Sequence, residues 1–350
     1  MRVTGIEIAN YRAFRGDSFK LDFSEGENLL IYGENGAGKS SFYSSIRDFL
    51  EAASDRSLKI ETHRHRFNTL PPSIRLRLDT RGQPFEWSGT TREQNSAEWR
   101  DIDKGKGCLD YKLLFQLHYL PKAKGEIDLF DLMIDTLLAH YMNPASSPSR
   151  TFRDEWNSLR EYFRPYKRRP PNLDNLVGVF NAGFARVAEE TARKASTLVQ
   201  KFDVELELAF NFIPAHYDWS PKYLYPPKVI VRPNFRLLQH PDYDRFFNEA
   251  RLSAIAISIF FAAVKDCPVA GLRLLVLDDI LIGLDMVNRL VVFRVMEELF
   301  ADWQIILLTY HKAWFEILKE RTGAGRCQLH SRISRDEIRD GSVSSGLPAR

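Results

Sequence analysis

The 350-residue sequence has few cysteines, no long apolar run and no excess of charge of one sign. Its three cysteines, Cys108, Cys267 and Cys327, lie far apart without a Cys-x-x-Cys pair. That pattern excludes a disulfide framework and a cysteine zinc site, and it favours a reducing, cytoplasmic setting. The longest nearly apolar stretch, residues 254–264, has 11 residues, whereas a membrane helix needs about 20. We therefore expect a buried helix there and no membrane partner.

The charge balance is nearly even, with 49 Lys and Arg against 46 Asp and Glu. Such a balance permits a nucleic-acid partner but does not require one. Two short basic segments, residues 63–67 (HRHRF) and 166–169 (YKRR), are candidate contacts to DNA phosphates. Solvated loops are the favoured explanation for each segment, because charge runs usually face water. DNA therefore stays a candidate partner.

One motif carries specific chemistry. Residues 33–41 read GENGAGKSS and match G-x-x-x-x-G-K-[ST], the phosphate-binding loop. An apolar strand precedes the loop, and Phe42, Ile46, Phe49 and Leu50 follow it at helical spacing. The order of strand, glycine loop and helix predicts a nucleotide site. The residues expected to cradle its phosphates are Gly33, Glu34, Asn35, Gly36, Ala37, Gly38, Lys39, Ser40 and Ser41.

Each part of this loop has a physical role. Glycines let backbone N–H groups converge on the phosphates at the positive end of a helix. Lys39 is expected to reach the terminal phosphates, and the Ser40 hydroxyl is expected to bind Mg²⁺. ATP and Mg²⁺ are therefore the predicted cofactors.

A magnesium-nucleotide site also needs a carboxylate at the end of a buried strand. The segment GLRLLVLDDILIGLD, residues 271–285, contains such a strand and ends it with Asp278 and Asp279. Asp278 is the predicted magnesium ligand, and Asp279 is predicted to orient or deprotonate the attacking water. Asp278 follows Lys39 by 239 positions. The two halves of one site are thus separated by a large insertion.

These motifs together resemble the ABC-type ATPase heads of the structural-maintenance-of-chromosomes (SMC), RecF and overcome-lysogenization-defect group, which includes anti-phage defence ATPases. The similarity covers residues 1 to about 60 and 240 to about 320. It implies an α/β fold of the P-loop NTPase class, with a mixed sheet and an antiparallel subdomain, interrupted by a compact helical insertion. It also places Asn10 and Arg12 beside the nucleotide and Asp285 in the D-loop.

Heads of this group sandwich ATP between the phosphate loop of one copy and a signature helix of another, so the resemblance implies a homodimer. The matching segment here is FNEARLSAIAISIFFAA, residues 247–263. Asn248 then stands where the group has its signature serine, Glu249 and Ala250 stand at its glycines, and Arg251 at its acidic or amide position. Ser253 is the second choice for the serine, and a plain core helix is the alternative.

Two further positions follow from the resemblance. The switch segment ends its strand at Thr309, and either Tyr310 or His311 is expected to contact the γ-phosphate or the attacking water. Gln116 is a candidate for the glutamine-loop metal ligand, although its stretch also fits the first helix of the insertion.

The predicted organisation has four parts: residues 1–95 and 204–325 as the two halves of the head, 96–203 as a helical insertion lobe, and 326–350 as a polar tail. Within them, residues 70–90 predict a hairpin, 126–142 an amphipathic helix, and 204–210 and 228–236 strands.

Two functions remain open. One is an ATP-hydrolysing switch that dimerises around ATP and acts on DNA or a separate effector protein, a nuclease or toxin, in anti-phage defence or DNA repair. The other is a slow or non-hydrolysing scaffold, clamped by ATP, that restrains or presents such an effector. Asp279 in place of the group's usual glutamate leaves room for slow turnover.

Overall fold

The computed structural model describes residues 1–16, 19–23, 26–55, 57–89, 96–119, 128–163, 169–220, 222–236, 238–239, 246–265, 267, 271–322 and 328–332. The chain divides into two compact units. The first comprises residues 1–111, 269–280 and 300–350, and the second comprises 112–268 and 281–299. Among the described residues, no helix combines the length and the apolar character needed to cross a membrane.

The first unit contains two sheets. An antiparallel sheet has the strand order β2-β1-β4-β5, with β1 at Val3–Ala9, β2 at Phe19–Asp22, β4 at Ser73–Leu78 and β5 at Phe85–Ser88. A parallel sheet has the order β14-β3-β13-β12-β6, with β3 at Asn28–Tyr32, β6 at Lys106–Asp110, β12 at Leu274–Asp278, β13 at Gln304–Thr309 and β14 at Gln328–Arg332. The hairpin predicted within residues 70–90 is confirmed as β4 and β5.

Among the described residues of the first unit, the helices beside these sheets are α1 at Lys39–Glu51, α2 at Ala97–Lys104 and α9 at Lys312–Thr322. The four apolar residues that predicted α1 are all buried in the core shared with β1, β3 and β4. Phe49 of α1 packs against Trp99 of α2 with ring centroids 4.7 Å apart. Burial of this stripe, more than intrinsic propensity, stabilises α1, whose middle carries several serines and aromatics.

The buried Gln304 side chain joins the two sheets. It is 1% exposed, its Oε1 accepts from the Val3 N–H at 2.8 Å, and its Nε2 donates to the carbonyls of Val3 and Glu27 at 2.8 and 3.0 Å. Because Gln304 starts β13 and Val3 starts β1, one amide fixes the antiparallel sheet beside the nucleotide-site strands.

The second unit contains the remaining helices and strands. The helices are α3 at Tyr111–Tyr119, α4 at Phe130–Leu132, α5 at Phe152–Arg160, α6 at Leu173–Val199, α7 at Glu249–Lys265 and α8 at Met286–Leu299. The strands are β7 at Leu206–Ile213, β8 at His216–Asp218, β9 at Tyr223–Tyr225, β10 at Lys228–Phe235 and β11 at Leu238–Gln239. The strands predicted near 204–210 and 228–236 are confirmed as β7 and β10, which pair antiparallel.

An aromatic core holds the helical part of the second unit together. Phe130 and Trp156 meet edge to face at 5.1 Å, and Trp156 stacks on Phe180 at 5.3 Å. The helix predicted over residues 126–142 is shorter than expected: α4 continues as a π-helical segment, Met133–Leu137, and helical geometry ends at Leu138. The buried side chains beyond that point, including Tyr141, reach the core from non-helical backbone, so apolar spacing alone overestimated the helix.

Replacing Gln304 with Leu should destabilise the protein by roughly 2–4 kcal/mol, because one buried N–H and two buried carbonyls lose their partner. Urea denaturation followed by circular dichroism measures this change. Lys20→Ala, which removes an exposed lysine of β2, is the control and should shift stability by less than about 0.5 kcal/mol. Equal stabilities of the Gln304→Leu variant and the parent would contradict the assigned bridging role.

Candidate functional site

The phosphate loop of the first unit follows β3 directly. Gly36 and Gly38 have φ angles of +82° and +90°, in the left-handed region that side chains disfavour. The Ala37 N–H donates to the Glu34 carbonyl at 3.0 Å, and α1 begins at Lys39. Glu34, Asn35 and Gly36 form the exposed crest of the loop, while Ala37 is buried beneath it. This curvature turns the loop backbone around the start of α1, as phosphate binding requires.

Lys39 lies inside this loop and is 5% exposed. Its Nζ donates to the Gly33 carbonyl at 2.9 Å and to the Glu34 carbonyl at 3.3 Å. The same ammonium forms an ion pair with Asp279 Oδ2 at 3.6 Å. A lysine held this close to the loop carbonyls supplies a fixed positive charge where phosphate oxygens are expected.

Asp278 is the last residue of β12, and its carboxylate is buried. It is 1% exposed, and neither carboxylate oxygen has a hydrogen bond of normal geometry among the described residues. Burial, with added repulsion from the neighbouring Asp279 and Asp110 carboxylates, raises the pKa of Asp278 to about 7 against the lowering effects of Ser40 and Lys39. A buried carboxylate without a donor is costly unless a cation or proton joins it.

Asp279 turns away from the strand. Its φ of +52° is unusual for a residue with a side chain. The turn directs Oδ1 to the Tyr310 N–H at 2.9 Å and Oδ2 to Lys39. Burial raises the pKa of Asp279, while Lys39 and the Tyr310 N–H lower it, and the net direction is upward. Its carboxylate therefore faces the phosphate loop with a raised basicity.

The two switch candidates follow β13 and differ in their roles. The Tyr310 ring centroid lies 5.9 Å from Lys39 Nζ, and its side chain is partly exposed beside the loop. His311 Nδ1 accepts from the Trp314 N–H at 3.3 Å and thereby caps the start of α9. The structure thus places the Tyr310 ring beside the Lys39 ammonium and gives His311 a local capping contact.

Arg12 and Asn10 belong to a second cluster of the first unit. Both have positive φ angles, +48° and +53°. Arg12 Nη2 binds Asp48 Oδ2 at 2.9 Å, Tyr11 Oη donates to the same oxygen at 2.5 Å, and Arg47 binds Oδ1 at 2.8 Å. Burial raises the pKa of Asp48, but Arg47, Tyr11 and Arg12 outweigh it and lower the pKa overall. Nothing in the local sequence marks Asp48 as the centre of this cluster, because its partners are distant in the chain.

The Asn10 amide is buried, donates to the Pro71 carbonyl and accepts from Asn68. Arg12 also forms one wall of a cleft of about 450 Å³ with residues 62–67, so the first basic segment, 63–67, lines a concave surface. Of the second basic segment, 166–169, only Arg169 is among the described residues.

The remaining predicted residues lie in the second unit. Asn248 Oδ1 accepts from the Arg251 N–H at 3.0 Å and caps α7, which leaves the amide nitrogen as its donor. Arg251 forms an ion pair with Asp203 at 2.9 Å. Ser253 is 1% exposed inside the helix.

Asp285 caps α8 as Asn248 caps α7, with Oδ1 accepting from the Asn288 N–H at 2.9 Å. Gln116 is exposed on α3.

The residues at the end of β12 fit a magnesium ion. Mg²⁺ prefers oxygen ligands and is usually held by one or two carboxylates together with substrate phosphates. The two partnerless oxygens of Asp278 and the adjacent Ser40 hydroxyl supply such ligands. The described residues contain no group of three or more His, Cys, Asp or Glu side chains that could hold a metal ion. A magnesium ion held there would take its remaining ligands from nucleotide phosphates and water.

Comparison with known proteins agrees with this geometry. The AAA domain family matches residues 6–120, which include the second half of β1, the phosphate loop and α1. A crystal structure of an SMC head bound to the C-winged helix domain of ScpA matches with a TM-score of 0.53 at 13% identity, covering 98% of this chain and 96% of the other. The fold is that of an SMC head.

A second SMC head supports the same conclusion. The Smc head domain with an extended coiled coil, bound to the C-terminal domain of ScpA derived from Pyrococcus furiosus, matches with a TM-score of 0.54 at 13% identity. That match covers 98% of this chain and 95% of the other. No protein of curated function matches the sequence. The expected fold class, an α/β P-loop fold with parallel and antiparallel sheets, is confirmed.

The buried carboxylate of this SMC-type head generates a stability prediction. Without nucleotide and metal, Asp278→Asn should raise the free energy of unfolding by roughly 2–4 kcal/mol at pH 8, since the raised pKa opposes ionisation in the folded state. Because the folded state opposes ionisation of a carboxyl group with a raised pKa, the protein loses stability as the pH rises from about 4 towards 7. The gain from the substitution should therefore increase from pH 5 to pH 8 in urea denaturation. The exposed Asp101→Asn is the control, and no gain at pH 8 would show that Asp278 is not under strain.

Proposed function

We propose that this chain binds ATP with Mg²⁺, hydrolyses it, and closes as a homodimer around it, acting as a switch on DNA or on a separate effector protein in anti-phage defence or DNA repair. The observation that carries the proposal is the meeting of Lys39, Asp278 and Asp279 at one edge of the parallel sheet. These residues come from segments far apart in the sequence, and each has the type that phosphoryl transfer to water requires.

Each side chain has a defined role in this proposal. Lys39 binds the terminal phosphates, and the backbone N–H groups of residues 33–41 surround them. Ser40 and Asp278 would hold Mg²⁺, and the bound ion would supply positive charge to offset the charge that develops on the phosphoryl oxygens. Asn10 and Arg12 lie beside the rest of the nucleotide.

Asp279 accepts the proton of the attacking water. The water oxygen bonds to the γ-phosphorus as the bond to the leaving ADP oxygen breaks, so that phosphate and ADP are released. Tyr310 positions Asp279 through its N–H, and its side chain shares the edge with Lys39. His311 remains the second choice for a contact to the water or the γ-phosphate.

A slow or non-hydrolysing scaffold is the second candidate, and one observation favours it. Both oxygens of Asp279 are already engaged, Oδ1 by the Tyr310 N–H and Oδ2 by Lys39. The ion pair between Asp279 and Lys39 must break, so that Lys39 binds the phosphates, before Asp279 can act as a base. The aspartate side chain is also shorter than that of a glutamate. Turnover limited by that exchange would let ATP clamp two copies for long periods, which suits an assembly that restrains or presents a nuclease or toxin.

The partner class follows from the related structures. Both SMC heads that the chain resembles are described in complex with a domain of ScpA. A head of this fold therefore offers a surface that another protein can bind. We propose that the nucleotide state of this chain is likewise transmitted to a separate protein.

Multiple-turnover phosphate release distinguishes the two candidates. The parent protein should release phosphate well above the Lys39→Ala background, and Asp279→Asn should be slower by about 10²-fold or more, the usual contribution of a general base. Nucleotide affinity of Asp279→Asn should stay close to that of the parent, as judged by titration with a fluorescent ATP analogue. Parent turnover equal to the Lys39→Ala background would exclude the switch and leave the scaffold.

The dimer makes a separate prediction. In ATP and Mg²⁺ the Asp279→Asn form should have twice the monomer mass by light scattering. Adding Asn248→Asp to that form should abolish dimer formation, while the protein still binds nucleotide. Aspartate caps a helix as well as asparagine, so α7 stays intact, but its charge repels the phosphate of the opposing copy. Asn211→Asp, on the exposed face of β7, is the matched control. Unchanged dimers of the Asn248→Asp form would contradict the sandwich.

A further inference from the structure

Asp110 ends the strand beside the metal-binding strand. β6 pairs in parallel with β12, and Asp110 lies directly opposite Asp278 in the register. Directly opposed residues of neighbouring strands, about 4.8 Å apart, project to the same face of a sheet. Asp110 and Asp278 therefore share the carboxyl edge and one face of the parallel sheet, although 168 positions separate them in the sequence.

Helix α1 covers this face. Ser40, Tyr43 and Arg47 follow one another at spacings of three and four, which places them on one side of the helix. Ser40 lies beside Asp278, and Arg47 Nη1 lies 3.9 Å from Asp110 Oδ2. The Asp110 side chain is 13% exposed. The helix that carries the metal-binding hydroxyl thus also contacts Asp110.

Three acidic side chains lie at this edge of the sheet. Asp278 and Asp279 are adjacent in the chain, and Asp110 stands opposite Asp278 in the ladder. Arg47, which contacts Asp110, also binds the buried Asp48 through two nitrogens at 3.0 and 2.8 Å. Three carboxylates at one edge favour a divalent cation beside them.

We propose that Asp110 is a second carboxylate of the divalent-cation site, accepting hydrogen bonds from water molecules bound to the cation that Ser40 and Asp278 hold. The inference rests on the proposed nucleotide function. Carboxylates in this outer position orient the ligand shell and strengthen metal binding. Gln116, the residue that the resemblance favoured for this role, lies six positions beyond the strand end on the exposed face of α3.

Metal affinity tests this assignment without relying on turnover. Mn²⁺ is titrated into protein saturated with a non-hydrolysable ATP analogue, and free Mn²⁺ is followed by electron paramagnetic resonance. Asp110→Asn should weaken Mn²⁺ binding about 10-fold or more, while its affinity for the analogue in EDTA stays unchanged. Glu51→Gln removes one negative charge from the same Arg47 at the other end of α1 and should change Mn²⁺ binding by less than about 2-fold.

A second variant separates charge from packing. Asp110→Glu keeps the carboxylate and should retain most of the Mn²⁺ affinity that Asp110→Asn loses. Parent-like Mn²⁺ binding by Asp110→Asn, equal losses in Asp110→Asn and Asp110→Glu, or an equal loss in Glu51→Gln would each overturn the assignment. If the parent itself fails to bind the analogue in EDTA and in Mn²⁺, the proposed nucleotide function is wrong.

Discussion

The buried carboxylate of Asp278 depends on the register of the parallel sheet. β12 is paired on both sides, with β13 and β6, so its register cannot change without breaking two ladders. A slip by one residue would move Asp278 to the opposite face and bring an apolar neighbour to the phosphate loop. The two ladders therefore hold the Asp278 carboxylate in a buried position without a hydrogen-bond donor among the described residues, although such burial is energetically unfavourable. The neighbouring Asp279 has a positive φ angle that ends the strand, and it pairs with Lys39. The two adjacent carboxylates therefore have different surroundings.

Much of this edge could be predicted from the sequence, because its parts are local patterns. The phosphate loop, the helix after it and the strand that delivers Asp278 are each legible within about 15 residues, and the structure contains them. Contacts that depend on the order of strands in the sheet could not be predicted from the sequence. Asp110 has no motif around it, and its place beside Asp278 arises only when β6 pairs with β12. Asp48 is similar, since Tyr11 and Arg12 reach it from the first turn of the antiparallel sheet. The backbone N–H of Tyr310, which positions Asp279, carries no side-chain signature.

The second unit shows how far apolar spacing predicts structure. Spacing identified the strands β7 and β10, but it overestimated the helix around Phe130. The extent of a helix depends on which packing partners are available, and sequence alone does not give those partners. The cap residues Asn248 and Asp285 each spend an oxygen on a helix start. Both helix starts are thereby fixed by a side-chain cap.

A crystal structure of the chain with a non-hydrolysable ATP analogue and Mg²⁺ tests the central claim most directly. The account predicts terminal phosphates bound by Lys39 and the backbone of residues 33–41, with the metal ion between Ser40 Oγ and Asp278 and with Asp279 released from Lys39 towards the γ-phosphate. A nucleotide bound elsewhere, or a metal ion that contacts neither Ser40 nor Asp278, would contradict it.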